Sequence, residues 1–195
     1  YDDVLLKHYV DCLAVNVVPH FRDIIKPGLK VIDVGTGAGF PGLVLKIAYP
    51  SLEITLLDSL NKRIQFLNTV IEKLQLKGID TVHGRAEDYA KPDKLREKYD
   101  LCVSRAVANL STLSEYCLPF VKENGIFIPY KSEKTSEEID KAAKAIAILG
   151  GKVINQVEFT LPESDIYRNL IIIRKDKKTP SKYPRKAGLP SKEPL

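Results

Sequence analysis

The sequence of 195 residues is 44% hydrophobic and 28% charged, an ordinary globular balance for one domain that buries its own core without disulfide staples. Its three cysteines, Cys12, Cys102 and Cys117, form no C-x-x-C pair; they read as buried small hydrophobes with reduced thiols, and neither a disulfide framework nor a metal site is expected. With no signal-like start and no apolar run of bilayer length, the expectation is a cytoplasmic protein. The net charge of +5 is a property of one end. Residues 174–195 carry eight Lys/Arg against Asp176 and Glu193, a balance of +6, so residues 1–173 come to −1. Such a tail points to a polyanionic partner, the alternative being a solubilising disordered terminus. The sequence holds no methionine, which sets the expectation that it starts inside a longer protein and that methionines are missing from it as written.

In chain order, residues 1–29 read as an N-terminal helical segment with Val4, Leu5, Tyr9, Leu13 and Val17 on a loose stripe, broken by Pro27-Gly28. A short strand at 30–34 runs into glycines, and 41–49 reads as a helix with Pro41 in its first turn. A strand at 52–57 precedes an amphipathic helix at 60–76, with Ile64, Leu67, Val70, Ile71 and Leu74 on one face. Short strands are predicted at 80–82 and 101–104, a helix at 110–122, a strand at 126–130, and a helix at 136–149 stopped by Gly150-Gly151. Strand signals at 152–160 and 168–174 then follow each other without a helix between them. Alternating strands and helices predict a doubly wound, mostly parallel sheet. The closing pair must be a hairpin, so one strand runs antiparallel. That is the seven-stranded architecture of class I methyltransferases. Ligands on such sheets sit at the carboxyl ends of the strands where strand order reverses, which would align the Gly35 loop, Asp58, Glu87 and Arg105 along one edge.

The strongest chemical signal is the run from Val31 to Gly42, VIDVGTGAGFPG. Gly37-x-Gly39-x-x-Gly42 satisfies a dinucleotide pattern, and Gly35-x-Gly37-x-Gly39 after Asp33 satisfies the first motif of S-adenosylmethionine methyltransferases. The second fits better. The strand ends at Val34, so Gly35 opens the turn, and the Asp33 carboxylate suits the cationic methionine end of that cofactor but would repel a pyrophosphate. Gly35, Thr36, Gly37 and Gly39 are thus candidate cofactor contacts. Asp58, ending the second strand, is a candidate acceptor for ribose hydroxyls, with an N-cap of the next helix as its other reading. The turn His83-Gly84-Arg85-Ala86-Glu87-Asp88 is placed to flank adenine. After the fourth strand comes Ser104-Arg105-Ala106-Val107-Ala108-Asn109-Leu110, where amino-group methylating enzymes often carry Asp/Asn-Pro-Pro-Tyr or Phe. Arg105 cannot be a general base, but it can donate in bidentate fashion to guanine O6 or to phosphate. A guanine N7 has a free lone pair and needs no base.

Taken together, KHYVDCL at 7–13, Asp33 to Phe40, DSLNKR at 58–63, GRAE at 84–87, RAVA at 105–108 and YPRKAG at 183–188 resemble the bacterial small-subunit rRNA methyltransferase G family, also called glucose-inhibited division protein B. The resemblance runs from Leu5 nearly to Leu195. It implies N7 methylation of one guanine of 16S rRNA near the decoding region, with S-adenosylmethionine as donor and Gly35, Phe40, Ala86, Glu87 and Arg105 at the cofactor; Arg105 is the candidate catalytic residue, serving the methionine carboxylate, the RNA or both. One departure is Cys12, where the family commonly has serine; it bears only on a hydrogen bond. Arg85, Lys182, Arg185 and Lys186 are the candidate RNA contacts, Tyr183 and the prolines being able to hold the tail on the domain. The expected organisation is a helical segment at 1–29, a cofactor-binding domain at 30–175 and a basic tail at 176–195, working as a monomer on the small ribosomal subunit or its precursor. The alternatives are a nicotinamide-dependent oxidoreductase and a non-catalytic RNA-binding module.

Overall fold

The computed structural model describes residues 5–105, 108–132 and 136–195; Val4 of the expected helical stripe and Ala106-Val107 of the segment after the fourth strand lie outside them. Its elements are α1 (Phe21–Ile24), β1 (Lys30–Val34), α2 (Gly42–Ala48), β2 (Glu53–Asp58), α3 (Asn61–Lys73), β3 (Ile79–His83), α4 (Ala86–Tyr89), β4 (Tyr99–Ser104), α5 (Leu110–Cys117), β5 (Val121–Lys131), α6 (Ser136–Ile148), β6 (Gly151–Thr160), β7 (Tyr167–Lys175) and α7 (Leu189–Lys192). The sheet order is β3-β2-β1-β4-β5-β7-β6. β1 to β5 are parallel neighbours, and β7 runs antiparallel to both β5 and β6. Strand order therefore reverses between β1 and β4, the place where a ligand crevice opens in such sheets.

Period-two alternation along the strands splits the core between the two faces. Val31, Leu56, Leu101 and Val103 face one way and pack with Leu43 and Leu45 of α2 and Ile64 and Leu67 of α3. Ile32, Val34, Leu57 and Cys102 face the other and pack with Leu110, Leu113 and Cys117 of α5 and with Ala142 and Ile146 of α6. The three cysteines are free and buried. Among the described residues no helix is long and apolar enough to cross a membrane.

Three local expectations need correction. Within residues 5–29 the expected helical segment is broken into short turns, and the loose apolar stripe is not its buried face. A wide helical turn at Leu5–Val10, a tight one at Leu13–Val17 and α1 follow one another, and no constant 3.6-residue period survives those changes of pitch. The stripe residues Leu5, Tyr9 and Val17 are exposed, while Cys12, Ala14, Val15, Val18 and Phe21 are buried. Next, the helix from 110 stops at Cys117, and a single tight turn at Leu118–Phe120 leads into β5 five residues earlier than expected; Pro119 brings no N–H to continue a helix. Its start is as the sequence suggests, since Asn109 Oδ1 accepts from Thr112 N–H at 2.8 Å as an N-cap. Finally, α3 ends at Lys73, so Leu74 is exposed.

The basic tail is bound down. Lys175 is fully buried and donates from Nζ to Leu118 O (2.7 Å), Val121 O (3.0 Å) and Thr179 Oγ1 (2.8 Å); burial lowers its pKa to about 8 against the pull of Glu97. Arg96 donates to the carbonyls of Thr179, Pro180 and Tyr183, and the Tyr183 ring is buried in the second core cluster. Arg185 forms a two-pronged pair with Glu115 of α5, Nε to Oε1 at 3.0 Å and Nη2 to Oε2 at 2.7 Å, and its own N–H donates to Oε1 at 2.8 Å. Thr112 Oγ1 donates to Pro190 O at 3.0 Å. The disordered-terminus alternative is therefore excluded. The Glu115 side chain is 0% exposed, and an unpaired buried carboxylate is costly. Arg185→Ala is expected to lower stability by about 3–5 kcal/mol, measured by urea unfolding; a loss under about 1 kcal/mol, the size of an exposed pair, would show that Glu115 does not depend on the tail.

Candidate active site

The glycine turn after β1 is built by its neighbours. Gly35 N–H and Thr36 N–H both donate to Leu57 O on β2, at 2.9 and 3.1 Å. Gly37 has φ +62°, a left-handed conformation, and its N–H reaches Asp58 Oδ2 at 2.9 Å. A Cβ on Gly37 would meet nothing within 4 Å, whereas one on Gly42 would lie 2.5 Å from Leu56 Cδ2. The turn is thus open above and tightly packed below, where α2 begins against the sheet.

Asp33 sits below. It is fully buried, and its Oδ2 accepts from Thr36 Oγ1 at 2.6 Å and from Gly42 N–H at 2.8 Å. Burial raises its pKa to about 6, although both hydrogen bonds and the Arg105 charge oppose the rise. Its Oδ1 has no hydrogen-bond partner among the described residues. Asp33 does not line the cleft. The expectation that it faces a cofactor's cation is replaced by a role beneath the turn.

A cleft of about 890 Å³ opens along the carboxyl edge of β3, β2, β1 and β4, within the usual size of small-molecule sites. Gly35, Thr36, Gly37, Phe40, Asp58, Arg85, Ala86, Glu87 and Arg105 line it, as do His8, Arg63 and Tyr116, which sequence reasoning did not single out for the site. Gly39 does not; a Cβ there would meet Leu43 Cβ at 2.8 Å and Leu67 Cδ2 at 2.9 Å, so it is a packing glycine. Strand order places Glu87, Asp58, the turn and Arg105 in sequence along the edge, with Arg63 and Arg85 beside the two acids.

Asp58 does two jobs at once. Oδ2 holds Gly37 N–H and meets Arg63 Nη1 at 3.2 Å, while Oδ1 accepts from Leu60 N–H at 2.9 Å just before α3. A carboxylate has about four lone-pair sites, which leaves capacity for a hydroxyl. Glu87 follows β3 and is buried, and its Oε1 accepts from Gly188 N–H of the tail at 2.8 Å. The tail therefore reaches the cleft wall.

Arg105 follows β4. Its guanidinium lies over the Phe40 ring, Cζ 5.3 Å from the centroid. His8 is stacked on Phe40 at 5.5 Å and 16°, and Tyr9 meets it edge-on at 5.5 Å. Nη1 donates to Asp11 Oδ2 at 3.0 Å and to Lys7 O at 3.3 Å. The backbone on either side is anchored. Ser104 Oγ donates to Val34 O at 2.7 Å, Glu138 Oε1 accepts from Leu110 N–H at 2.6 Å, and Lys131 Nζ bridges Ala108 O and Glu138, each at 2.7 Å. Of the candidate RNA contacts, Arg85 is in the cleft and Lys182 and Lys186 are exposed on the tail. Arg185 Nε and Nη2 are held by Glu115 and Glu193 O, and its Nη1 makes no hydrogen bond among the described residues.

Comparison with known proteins agrees with this geometry. The family model for rRNA small subunit methyltransferase G matches residues 1–167. The ribosomal RNA small subunit methyltransferase G of Acetivibrio thermocellus is 54% identical over 194 residues, 100% of this chain and 78% of its own length, and that of Lachnoclostridium phytofermentans is 52% identical over 195 residues, 100% and 79%. Among solved structures, M. jannaschii TYW2 in complex with AdoMet superposes with a TM-score of 0.61 at 14% identity, covering 76% of this chain and 68% of that one. The precorrin-6y C5,15-methyltransferase of Geobacter metallireducens gives 0.57 at 16% identity, with 78% and 82% covered. Those structures share the fold; the relatives share the sequence over the whole chain and give no support to an oxidoreductase or a non-catalytic RNA-binding module. The chain belongs to the rRNA small subunit methyltransferase G family and is an S-adenosylmethionine-dependent ribosomal RNA methyltransferase.

Proposed function

We propose that this chain methylates N7 of a guanine in 16S rRNA near the decoding region, acting as a monomer in which residues 30–175 hold the cofactor and the segments 1–29 and 176–195 close on it. The observation that carries the reading is the cleft wall itself: an open glycine turn, the Asp58 carboxylate, the Ala86-Glu87 turn and a guanidinium over the Phe40 ring line one crevice. All of them come from this chain. S-adenosylmethionine, when bound, supplies a methyl group already activated by a sulfonium charge. The residues present fit it: Asp58 has spare acceptor capacity for a ribose, the turn is open above Gly37, and Arg105 offers planar donors to a carboxylate or a base. The segment after β4 carries Arg105 where a base-gripping Asp/Asn-Pro-Pro-aromatic run would suit an amino group, and this favours a ring nitrogen that has no proton to lose.

The chain's contribution is then positioning, which supplies several kcal/mol through effective concentration. Arg105 orients an oxygen of the guanine or of the cofactor, and Phe40 with His8 gives it an aromatic floor. Asp58 fixes the turn and the sugar together.

Three outcomes test the reading. Asp58→Ala should weaken S-adenosylhomocysteine binding by about 1–3 kcal/mol, and should also lower stability by about 1 kcal/mol through the lost Leu60 N–H contact; calorimetric titration and thermal melting separate the two, and unchanged affinity would remove Asp58 from the cofactor site. Arg105→Lys should be strongly impaired, because a point charge does not replace a planar fork, and wild-type activity on RNA should be nearly flat from about pH 6.5 to 9, where arginine stays charged. A bell-shaped profile would contradict this and implicate His8, the histidine that lines the cleft. Replacing Lys182 and Lys186 by Ala should leave cofactor affinity intact and lower the salt slope of RNA binding by roughly 0.7–0.9 per lost phosphate contact; an unaltered slope would end the tail's role as a phosphate grip.

A further inference from the structure

Resting on the cofactor and RNA reading above, the geometry points to Asp11, held by Arg168, as a positioning residue for Arg105. Three distant parts of the chain meet here: Asp11 from the N-terminal segment, Arg168 from the start of β7, and Arg105 from the end of β4. The Asp11 side chain is 2% exposed and lies between guanidinium groups that are 23% and 16% exposed. Arg168 grips it in a fork, Nε to Oδ1 at 2.6 Å and Nη2 to Oδ2 at 3.2 Å, and spends Nη1 on Tyr167 O at 2.9 Å. Each nitrogen of Arg168 is thus bound within the protein. Arg105 differs. Both of its hydrogen bonds leave from Nη1, and Nε and Nη2 make none among the described residues.

The charges give this arrangement its sense. One carboxylate faces two guanidinium groups, so the trio carries a net +1. Every nitrogen of Arg168 already has a partner within the protein, and the trio reaches the cleft wall through Arg105. Asp11 Oδ2 is shared by both arginines, so Arg168 fixes the carboxylate and the carboxylate fixes Nη1. The Phe40 ring lies under the guanidinium, 5.3 Å from Cζ to centroid. What remains is an oriented edge of donors for an anionic oxygen, a geometry in which charge-assisted hydrogen bonds are short and strong. That oxygen belongs either to the carboxylate at the amino-acid end of the cofactor or to an RNA phosphate.

The test uses the full chain and two probes, S-adenosylhomocysteine and 5′-methylthioadenosine, which lacks the amino-acid end. Asp11→Asn keeps the shape and removes the charge. If Arg105 grips the carboxylate, the variant should lose about tenfold affinity for S-adenosylhomocysteine, equivalent to 1.4 kcal/mol, and none for methylthioadenosine. If it grips a phosphate, both affinities hold and the salt slope of RNA binding falls by roughly 1. In an Arg105→Lys background either effect of Asp11→Asn should vanish, because Asp11 acts through Arg105. Equal losses for both probes, no change in any readout, or the same penalty in the Arg105→Lys background would overturn the proposal. Should Asp11→Asn fail to fold, Arg168→Lys, which keeps the charge and breaks the fork, carries the same comparison. A wild-type protein that binds neither probe would refute the cofactor reading, a failure distinct from that of Asp11.

Discussion

Two buried carboxylates hold the glycine turn between them. Asp33 takes Gly42 N–H and Thr36 Oγ1 from below, and Asp58 takes Gly37 N–H from the side. A turn this sharp points several N–H groups away from any strand or helix partner, and buried donors need acceptors. Supplying them with charged oxygens fixes the turn in one shape. The cost falls on Asp33, whose carboxyl is pushed up to about 6 by burial. The placement of α2, the openness above Gly37 and the spacing from the turn to the other cleft residues all follow from that anchoring.

Parallel strand order then turns a list of residues into a ligand-shaped array. The edge reads Glu87, Asp58, glycine turn, Arg105 because β3, β2, β1 and β4 lie side by side in that order. The carboxylates of Asp58 and Glu87 and the guanidinium of Arg105 come from different βα units and do not pair with each other; Arg63 meets Asp58 and Asp11 meets Arg105 instead. The two chain ends complete the walls. Residues 7–11 support Arg105 and Phe40, while Gly188 closes on Glu87.

Most of the fold was legible because its signals are local. Apolar runs ending in glycine, an amphipathic helix with Ile64 and Leu67 inward, and a strand pair without an intervening helix each depend on a few consecutive residues. That Gly35, Asp58, Ala86, Glu87 and Arg105 would share one cleft was legible because each ends or follows a strand at the same sheet edge. What stayed hidden depends on pairing across the chain. Asp11 meets Arg168 at a separation of 157 residues and Glu115 meets Arg185 at 70; nothing in the local pattern distinguishes Arg185, an internal anchor, from Lys186, an exposed cation. Asp33 and Gly39 were assigned to the ligand for a related reason. A motif shows which residues gather at a turn and not which side of it they serve. Pro119 was a readable stop for α5 that the apolar pattern at 118–122 masked.

The tail's attachment also ties completion of the cleft wall to the order in which the polypeptide is made. Glu87 and Glu115 emerge from the ribosome long before Gly188 and Arg185, and until those residues follow, two buried acids lack their tail partners. The Glu87 side of the cleft acquires its full hydrogen bonding only once the chain has been made as far as Gly188.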